Sequence, residues 1–331
     1  MVASIFSSPQ PTVNVLALSY PDGHAPTRLL TVRHATVYRY SEPVQLGEHR
    51  VMFRPRESHD LRLLQTSLMI QPRPADLYWI HDIFDNSVAV ATFSGETTEL
   101  RFESTVMIEH IEAASPEYRL ENAASYYPLY YSDTERTDLA QCLQQRYPST
   151  ELWEWTQSFL RLPVSGHTMA LLRAITAAIN ETFYYSRRAE RGVQTPDETL
   201  AYRRGTCRDF ALLMIEAVRS LGFAARFVSG YIFVPGAGTD LIVDDGATHA
   251  WLQVYLPGAG WVDFDPTNKI VGNRNLIRVA MAWDHAQVLP LWGTFVGRPS
   301  AFLSMDVAVS VLEQSAAPQF SGQNNSFQTH N

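Results

Sequence analysis

The stretch GTCRDFALLMIEAVRSLG, residues 205–222, decides how this chain folds. Phe210, Leu213, Met214, Ala217, Val218 and Leu221 recur at helical spacing, which predicts one apolar stripe on a buried helix. Gly222 stands where the residue after a helix takes the left-handed conformation. At the other end Thr206 is suited to cap the helix, and Asp209, three places on, completes a capping box. Cys207 therefore falls in the first turn, among backbone N–H groups that lack an intrahelical acceptor. The positive end of the helix dipole stabilises a thiolate there, and the same N–H groups can donate to an oxyanion. Arg208 adds a positive charge beside it. A cysteine is ordinarily an inert core residue. Its place in the first turn, just after Gly205, sets Cys207 apart, whereas Cys142 lies beside Leu139 and Leu143 in a helical stretch and reads as core.

Upstream, Thr195-Pro196-Asp197-Glu198 predicts a short helix, with Thr195 as N-cap, Pro196 at the first helical position and Glu198 closing a capping box. Gly205 is expected to end it. Gln194, in the loop before this helix, is a candidate second oxyanion donor, against the ordinary expectation of a surface glutamine. Leu171, Leu172, Ile175 and Ile179 mark the face of a further helix.

A nucleophilic cysteine needs a base, and the base needs a group to orient it. The stretch THAWLQVYLPGAGWVDFDPTN, residues 248–268, supplies both on one hairpin. Thr248 to Tyr255 alternates as a strand, Leu256 to Gly260 forms the turn, and Trp261 to Asp265 returns. His249 then lies near the level of Asp265, within a register uncertainty of about two residues. Asp263 has the same parity as Asp265, so spacing does not choose between them. An aspartate opposite a strand histidine often does no more than satisfy a ring N–H; the nearby thiol gives the pair its chemical meaning. Trp251 and Trp261 flank these strands and either shape a cleft or pack within the sheet.

Outward from this centre the chain divides by pattern. Residues 1–27 are rich in Ser, Pro and small side chains and predict an irregular lead-in. Residues 28–112 alternate as strands, at 30–40, 48–54, 61–71, 77–84, 87–94 and 99–110, which predicts an antiparallel β-sandwich domain. Residues 113–160 predict a helical bridge, with Ser149-Thr150 capping a helix over Leu152 to Leu160 and Tyr126, Tyr127, Tyr130 and Tyr131 packing onto the next domain. Residues 161–312 hold the thiol and the hairpin, with Val234 to Ala247 long and polar enough for a lid. Residues 313–331 predict a disordered tail.

Of 331 residues, 46% are hydrophobic and 18% charged, ordinary globular composition, and the formal net charge is −8. No basic stripe interrupts that acidity, which argues against duplex nucleic acid and anionic membrane surfaces as partners. Two cysteines exclude a disulfide framework and a clustered thiolate zinc site. His34, His49 and His81 fall on predicted strands without ligand spacing, and Gly236-Ala237-Gly238 opens no helix, so neither a metal nor a phosphate-bearing cofactor is expected. No leader or membrane-spanning segment stands out, and a cytoplasmic protein is expected. Oligomeric state is not legible.

The blocks at 192–231 (GVQTPDETLAYRRGTCRDFALLMIEAVRSLGFAARFVSGY) and 248–268 resemble the transglutaminase-like superfamily, a branch of the papain-like cysteine hydrolases. Residues 28–110 also resemble the β domain that precedes the catalytic domain in bacterial members. The resemblance implies an α+β chain, a papain-like, transglutaminase-like catalytic domain preceded by an antiparallel β-sandwich. It implies Cys207 as nucleophile, His249 as base and Asp265, in the Asp-Pro-Thr stretch, as the orienting carboxylate. Gln194, Arg208 and Trp251 are the candidate oxyanion or substrate contacts. The implied activity is cleavage of a peptide or amide bond in a peptide or protein substrate through a thioester. Transfer of the same acyl group to an amine, as in a transglutaminase, and a non-catalytic binding module on the same fold are the alternatives. Two departures stand out: Ala282-Trp283-Asp284-His285 replaces a usual Gly-Arg-Asp-Tyr, and Asp85-Asn86 replaces a Gly-Asn turn.

Overall fold

The computed structural model describes residues 27–112, 118–161, 166–186, 192–236 and 248–314. The N-terminal part is antiparallel: β1 (Thr27–Val51), β2 (Leu61–Gln71), β3 (Asp76–His81), β4 (Ser87–Thr92) and β5 (Glu96–Ile111). Strands expected separately at 30–40 and 48–54 are one strand. Its first half pairs with β5 and its end with β4, and the register with β5 breaks between Arg39 and Val44. Such a break bends a strand and increases its twist. Tyr40, Val44, Leu46 and Val51 from beyond the bend share a core with Ile70, Leu100 and Phe102 from the other half. The sandwich is thus a single sheet folded over on itself.

The bridge is less helical than expected. Residues 118–131 are largely irregular, and Tyr126 and Tyr130 are exposed, while Tyr131 is buried, accepting from Ala224 N and donating to Tyr255 O. Helices α1 (Asp133–Asp138), α2 (Ala140–Leu143) and α3 (Thr150–Phe159) follow, α3 capped by Ser149. Then come α4 (Thr168–Thr182), β6 (Tyr184–Tyr185), α5 (Pro196–Tyr202), β7 (Arg204–Gly205) and α6 (Cys207–Ser220). A five-stranded antiparallel sheet completes this part, in the order β11 (Ile270–Val271), β10 (Gly260–Asp265), β9 (His249–Leu256), β8 (Ala225–Ile232) and β12 (Leu276–Ala282).

Helix α6 is the hub, packed between this sheet and α3, α4 and α5. The sequence predicts one apolar stripe, but every residue from Asp209 to Arg219 is buried. Its polar members are satisfied internally. Glu216 and Arg219 pair at 2.8 Å, Arg146 N and Tyr147 N donate to the Glu216 carboxylate, and Arg219 donates to the carbonyls of Cys142, Ala225 and Trp283. A buried ion pair persists when its remaining donors and acceptors are met in this way.

The chain then returns to the first sheet. Strands β13 (Leu291–Val296) and β14 (Phe302–Glu313) pair with β1, from Gln45↔Val296 to Val51↔Leu291 and from Leu30↔Glu313 to Tyr40↔Phe302. Residues 291–312, expected as the end of the catalytic domain, thus belong to the N-terminal sheet, and Glu313 and Gln314, expected in the tail, are held there, Gln314 N donating to Leu29 O. The cause is the otherwise unpaired side of β1, whose N–H and C=O groups are satisfied by these late strands. The lead-in before Thr27, the tail beyond Gln314 and most of the loop expected as a lid (residues 237–247) lie outside the described residues.

Asn86 joins the two sheets. Asp85 takes the positive φ, 62°, that a glycine often fills in such turns, so the departure there leaves the turn intact. Fully buried Asn86 donates to Met281 O and accepts from Met281 N, both at 2.9 Å, which covers edge strand β12 as a pairing strand would. Asn86→Ala leaves both backbone groups of Met281 without partners. A loss of about 2–4 kcal/mol in urea unfolding is expected, from two unsatisfied buried groups. His34 sits at the same junction, stacked 3.7 Å from Phe53 with Nδ1 3.0 Å from Tyr231 Oη. Burial lowers its pKa to about 3, so the imidazole is neutral.

Candidate active site

The start of α6 is built as its sequence predicts. Thr206 is extended, Asp209 Oδ2 accepts from Thr206 N at 2.7 Å and from Thr206 Oγ1 at 2.9 Å, and the capping box is complete. Cys207 is the first helical residue and is buried. The turn into it comes from Arg203, not Gly205. Arg203 ends α5 with φ 52°, and Arg204–Gly205 pairs with Tyr184–Tyr185. Gly205 serves another purpose, since a Cβ there would meet Asp209 Cβ at 2.8 Å. The carboxylate that organises the helix start needs that space.

Asp209 reaches further. Its Oδ1 accepts from Gln194 N at 2.7 Å, fixing the loop before α5 beside the start of α6. Gln194 is buried, with Oε1 accepting from Thr199 Oγ1 at 3.3 Å, so it is not the surface glutamine that its loop position suggests. This link was invisible in the sequence, where Asp209 read only as part of a cap.

On the hairpin, β9 and β10 pair with Phe264 opposite Leu252 and Asp263 opposite Gln253. His249 Nε2 donates to Asp265 Oδ2 at 2.8 Å. Cys207 also acts on this ring to raise its pKa, and with Nε2 held by Asp265 the ring nitrogen left over is Nδ1. Asp265 is fully buried and accepts from Thr267 N at 2.9 Å and Asn268 Nδ2 at 2.9 Å, so its oxygens are fixed before the imidazole is considered. Asn180 Nδ2, from α4, holds this loop through Thr267 O at 2.7 Å. Burial by itself lowers the pKa of His249. The charge of Asp265 and its hydrogen bond, with a further contribution from Cys207, outweigh burial and raise it well above the histidine range.

Asp263 does something else. It accepts from Trp251 Nε1 at 2.7 Å and from Arg278 Nη1 at 3.0 Å. Trp251 is fully buried, so its candidacy as a substrate contact is corrected: sheet packing claims it, with its ring stacked on His249 at 5.8 Å and 25°. Arg208 is half-buried with its guanidinium 5.8 Å from the Phe227 ring, and its Nη1 has no hydrogen-bond partner among the described residues. Burial lowers its pKa despite the neighbouring Cys207 and Asp209. In the other departure, Asp284 pairs with Arg146 and caps a short turn at His285, which rests on Phe227. A cavity of about 390 Å³ lined by Arg54, Arg56, Trp79 and His81 belongs to the N-terminal sheet and includes neither Cys207 nor His249. Among the described residues no group of three His, Cys, Asp or Glu side chains could hold a metal ion, and no helix is long and apolar enough to cross a membrane.

Residues 30–109 match the bacterial transglutaminase-like N-terminal region and residues 164–266 match the transglutaminase-like superfamily. The uncharacterized protein Rv2569c of Mycobacterium tuberculosis is 30% identical over 308 residues, spanning 86% of this chain and 93% of that one.

The chain belongs to the transglutaminase-like superfamily.

A shorter match links this transglutaminase-like chain to a protein-glutamine gamma-glutamyltransferase of Pseudomonas aeruginosa, 35% identical over 74 residues, 22% of this chain and 11% of that one. The fold is shared with a candidate cysteine protease of Cytophaga hutchinsonii, at a TM-score of 0.65 and 19% identity over 88% of this chain and 93% of that one. That likeness is one of fold, and it spans the β domain as well as the core.

Proposed function

We propose that this chain is a cysteine hydrolase that cleaves a peptide or amide bond through a thioester, with Cys207, His249 and Asp265 as its triad. The observation that carries the proposal is the buried His249 ring, bonded through Nε2 to Asp265 Oδ2 at 2.8 Å, with Cys207 near enough to raise its pKa. Such a ring can hold the thiol proton as imidazolium, while the helix N-terminus favours the thiolate. Sulfur attacks the carbonyl carbon, and the carbonyl π electrons move to oxygen. The backbone N–H of Cys207 donates to that oxyanion, with Gln194 as the second candidate donor. Collapse breaks the C–N bond, and the imidazolium gives its proton to the leaving amine. Water, deprotonated by the neutral ring, then cleaves the thioester and releases a carboxylic acid. Asp265 keeps the ring in one tautomer and orientation.

Hydrolysis is preferred over amine transfer because the chain has the domain order of bacterial members and no recognisable calcium-loop motif. The short likeness to a gamma-glutamyltransferase keeps amine transfer as the second reading. The test is incubation with a peptide library and, in parallel, a glutamine donor with excess labelled primary amine, with Cys207→Ala as control. Cleaved peptides bearing new N-termini without label support a hydrolase. Stable label incorporation would replace it with the transferase.

A further inference from the structure

His249 has a second support, which reaches from the ring to the N-terminal β domain. Behind the imidazole lies Trp251, fully buried and stacked on it at 25°. The indole is pinned at Nε1 by Asp263 Oδ1, 2.7 Å away. Asp263 Oδ2 takes Arg278 Nη1 at 3.0 Å, and Arg278 Nη2 pairs with the carboxylate of Asp60, which precedes β2. Asn273 Nδ2 secures Asp60 from the other side, at 2.9 Å, and also donates to Ile111 O at 2.9 Å. Each link is nearly closed to water: the side chains of Asp60 and Arg278 are 12% exposed and that of Asp263 4%.

The sheet is shaped for this arrangement. Gly230 is the register partner of His249 on one side and of Arg278 on the other, so the three stand in one row across β9, β8 and β12. A Cβ on Gly230 would meet Trp251 Cη2 at 2.7 Å and Ile277 O at 2.1 Å. The missing side chain in the middle of the row leaves the space that the indole occupies. One guanidinium then bridges two carboxylates from different domains, a task for which its planar fork is suited and a lysine is not.

We infer that Trp251, Asp263, Arg278 and Asp60 are positioning residues that hold the His249 ring, and that the N-terminal β domain supports the proposed chemistry through them. The inference rests on the cysteine chemistry proposed above. It assigns Asp263, the same-face alternative to Asp265, to the tryptophan behind the ring. It also gives the β domain a role in the reaction, since Asp60 touches neither the thiol nor the imidazole. Displacement of a reacting group by about 1 Å costs on the order of a hundredfold in rate.

Three variants test it: Trp251→Phe, which keeps an aromatic ring but loses the indole N–H; Asp60→Asn, which keeps an acceptor and loses the charge; and Arg278→Lys, which keeps the charge and loses the fork. Each is compared with the parent protein well below its melting temperature, reading kcat, KM and the pH dependence of Cys207 alkylation by iodoacetamide. The expected result is a fall in kcat of about tenfold to a hundredfold with KM nearly unchanged. The acid limb of the alkylation profile should move to higher pH as the imidazole loses its place. A merely structural role would lower the melting temperature and leave the alkylation profile of the folded protein where it was, and that result would overturn the inference. The two proposals fail separately. If His249→Ala leaves the parent's Cys207 reactivity unchanged, the cysteine chemistry itself is wrong. If that variant silences the thiol while Asp60→Asn and Trp251→Phe retain the parental profile, only the positioning role falls.

Discussion

Cys207→Ala is expected to abolish turnover, with a loss on the order of a million-fold, because the thiol is the only group in the proposed site that can carry the acyl intermediate. The same assignment has a readout that needs no substrate. Intact-mass spectra after brief iodoacetamide treatment at pH 6 should show one fast adduct, absent in Cys207→Ala. Cys142 is an internal control, since burial raises the pKa of its thiol and outweighs the nearby Arg219 and Arg226. His249→Ala should slow the fast adduct to the level of Cys142. Equal alkylation of the two cysteines in the parent protein would remove the basis for a cysteine mechanism and favour a binding module on the same fold.

Asp265→Asn is expected to lower kcat by about four orders of magnitude, because an amide can present its N–H to Nε2 and stabilise the wrong tautomer. The pH profile should change with it. In the parent protein the charge and hydrogen bond of Asp265 raise the pKa of His249 well above that of a free histidine. The imidazolium form persists through neutral pH and is lost as pH rises through that raised value. The alkaline limb of kcat/KM should therefore lie well above pH 7 and move down in Asp265→Asn, where the opposing burial is no longer outweighed. Asp263→Asn should cost less, about tenfold to a hundredfold as for the other positioning residues, since Asp263 bonds Trp251 and Arg278 and not the imidazole. A larger effect at Asp263 than at Asp265 would reverse the assignment.

The features legible in the sequence are those set by neighbours a few residues away. Thr195 with Glu198, Thr206 with Asp209 and Ser149 with Leu152 are caps whose partners lie within one turn, and all three are formed. The hairpin followed from alternation and a turn of fixed length. Where local patterns misled, a distant partner had intervened. Residues 30–51 read as two strands because the bend near Arg39 interrupts the alternation, yet both halves are held in one sheet by partners far along the chain. Gln194 read as a candidate oxyanion donor against the expectation of a surface residue, because nothing in its own loop shows that Asp209 claims its backbone N–H. Asn86 read as a turn residue because Met281, its partner, is 195 positions away.

By itself, the sequence determined that Cys207 opens a capped helix and that His249 and two aspartates share one face of a hairpin. Caps and pleats are short-range consequences of steric and hydrogen-bonding geometry, so they survive without knowledge of the fold. Spacing left Asp263 and Asp265 equivalent and the family resemblance pointed to Asp265; only the tertiary structure shows that bond to the imidazole and what lies behind the ring. That choice depends on strand register, on the loop at Thr267 and Asn268 that fixes Asp265, and on Arg278 drawing Asp263 toward the other domain. Two residues of the same type and parity are equivalent along the chain, and they differ because different side chains from distant segments reach them.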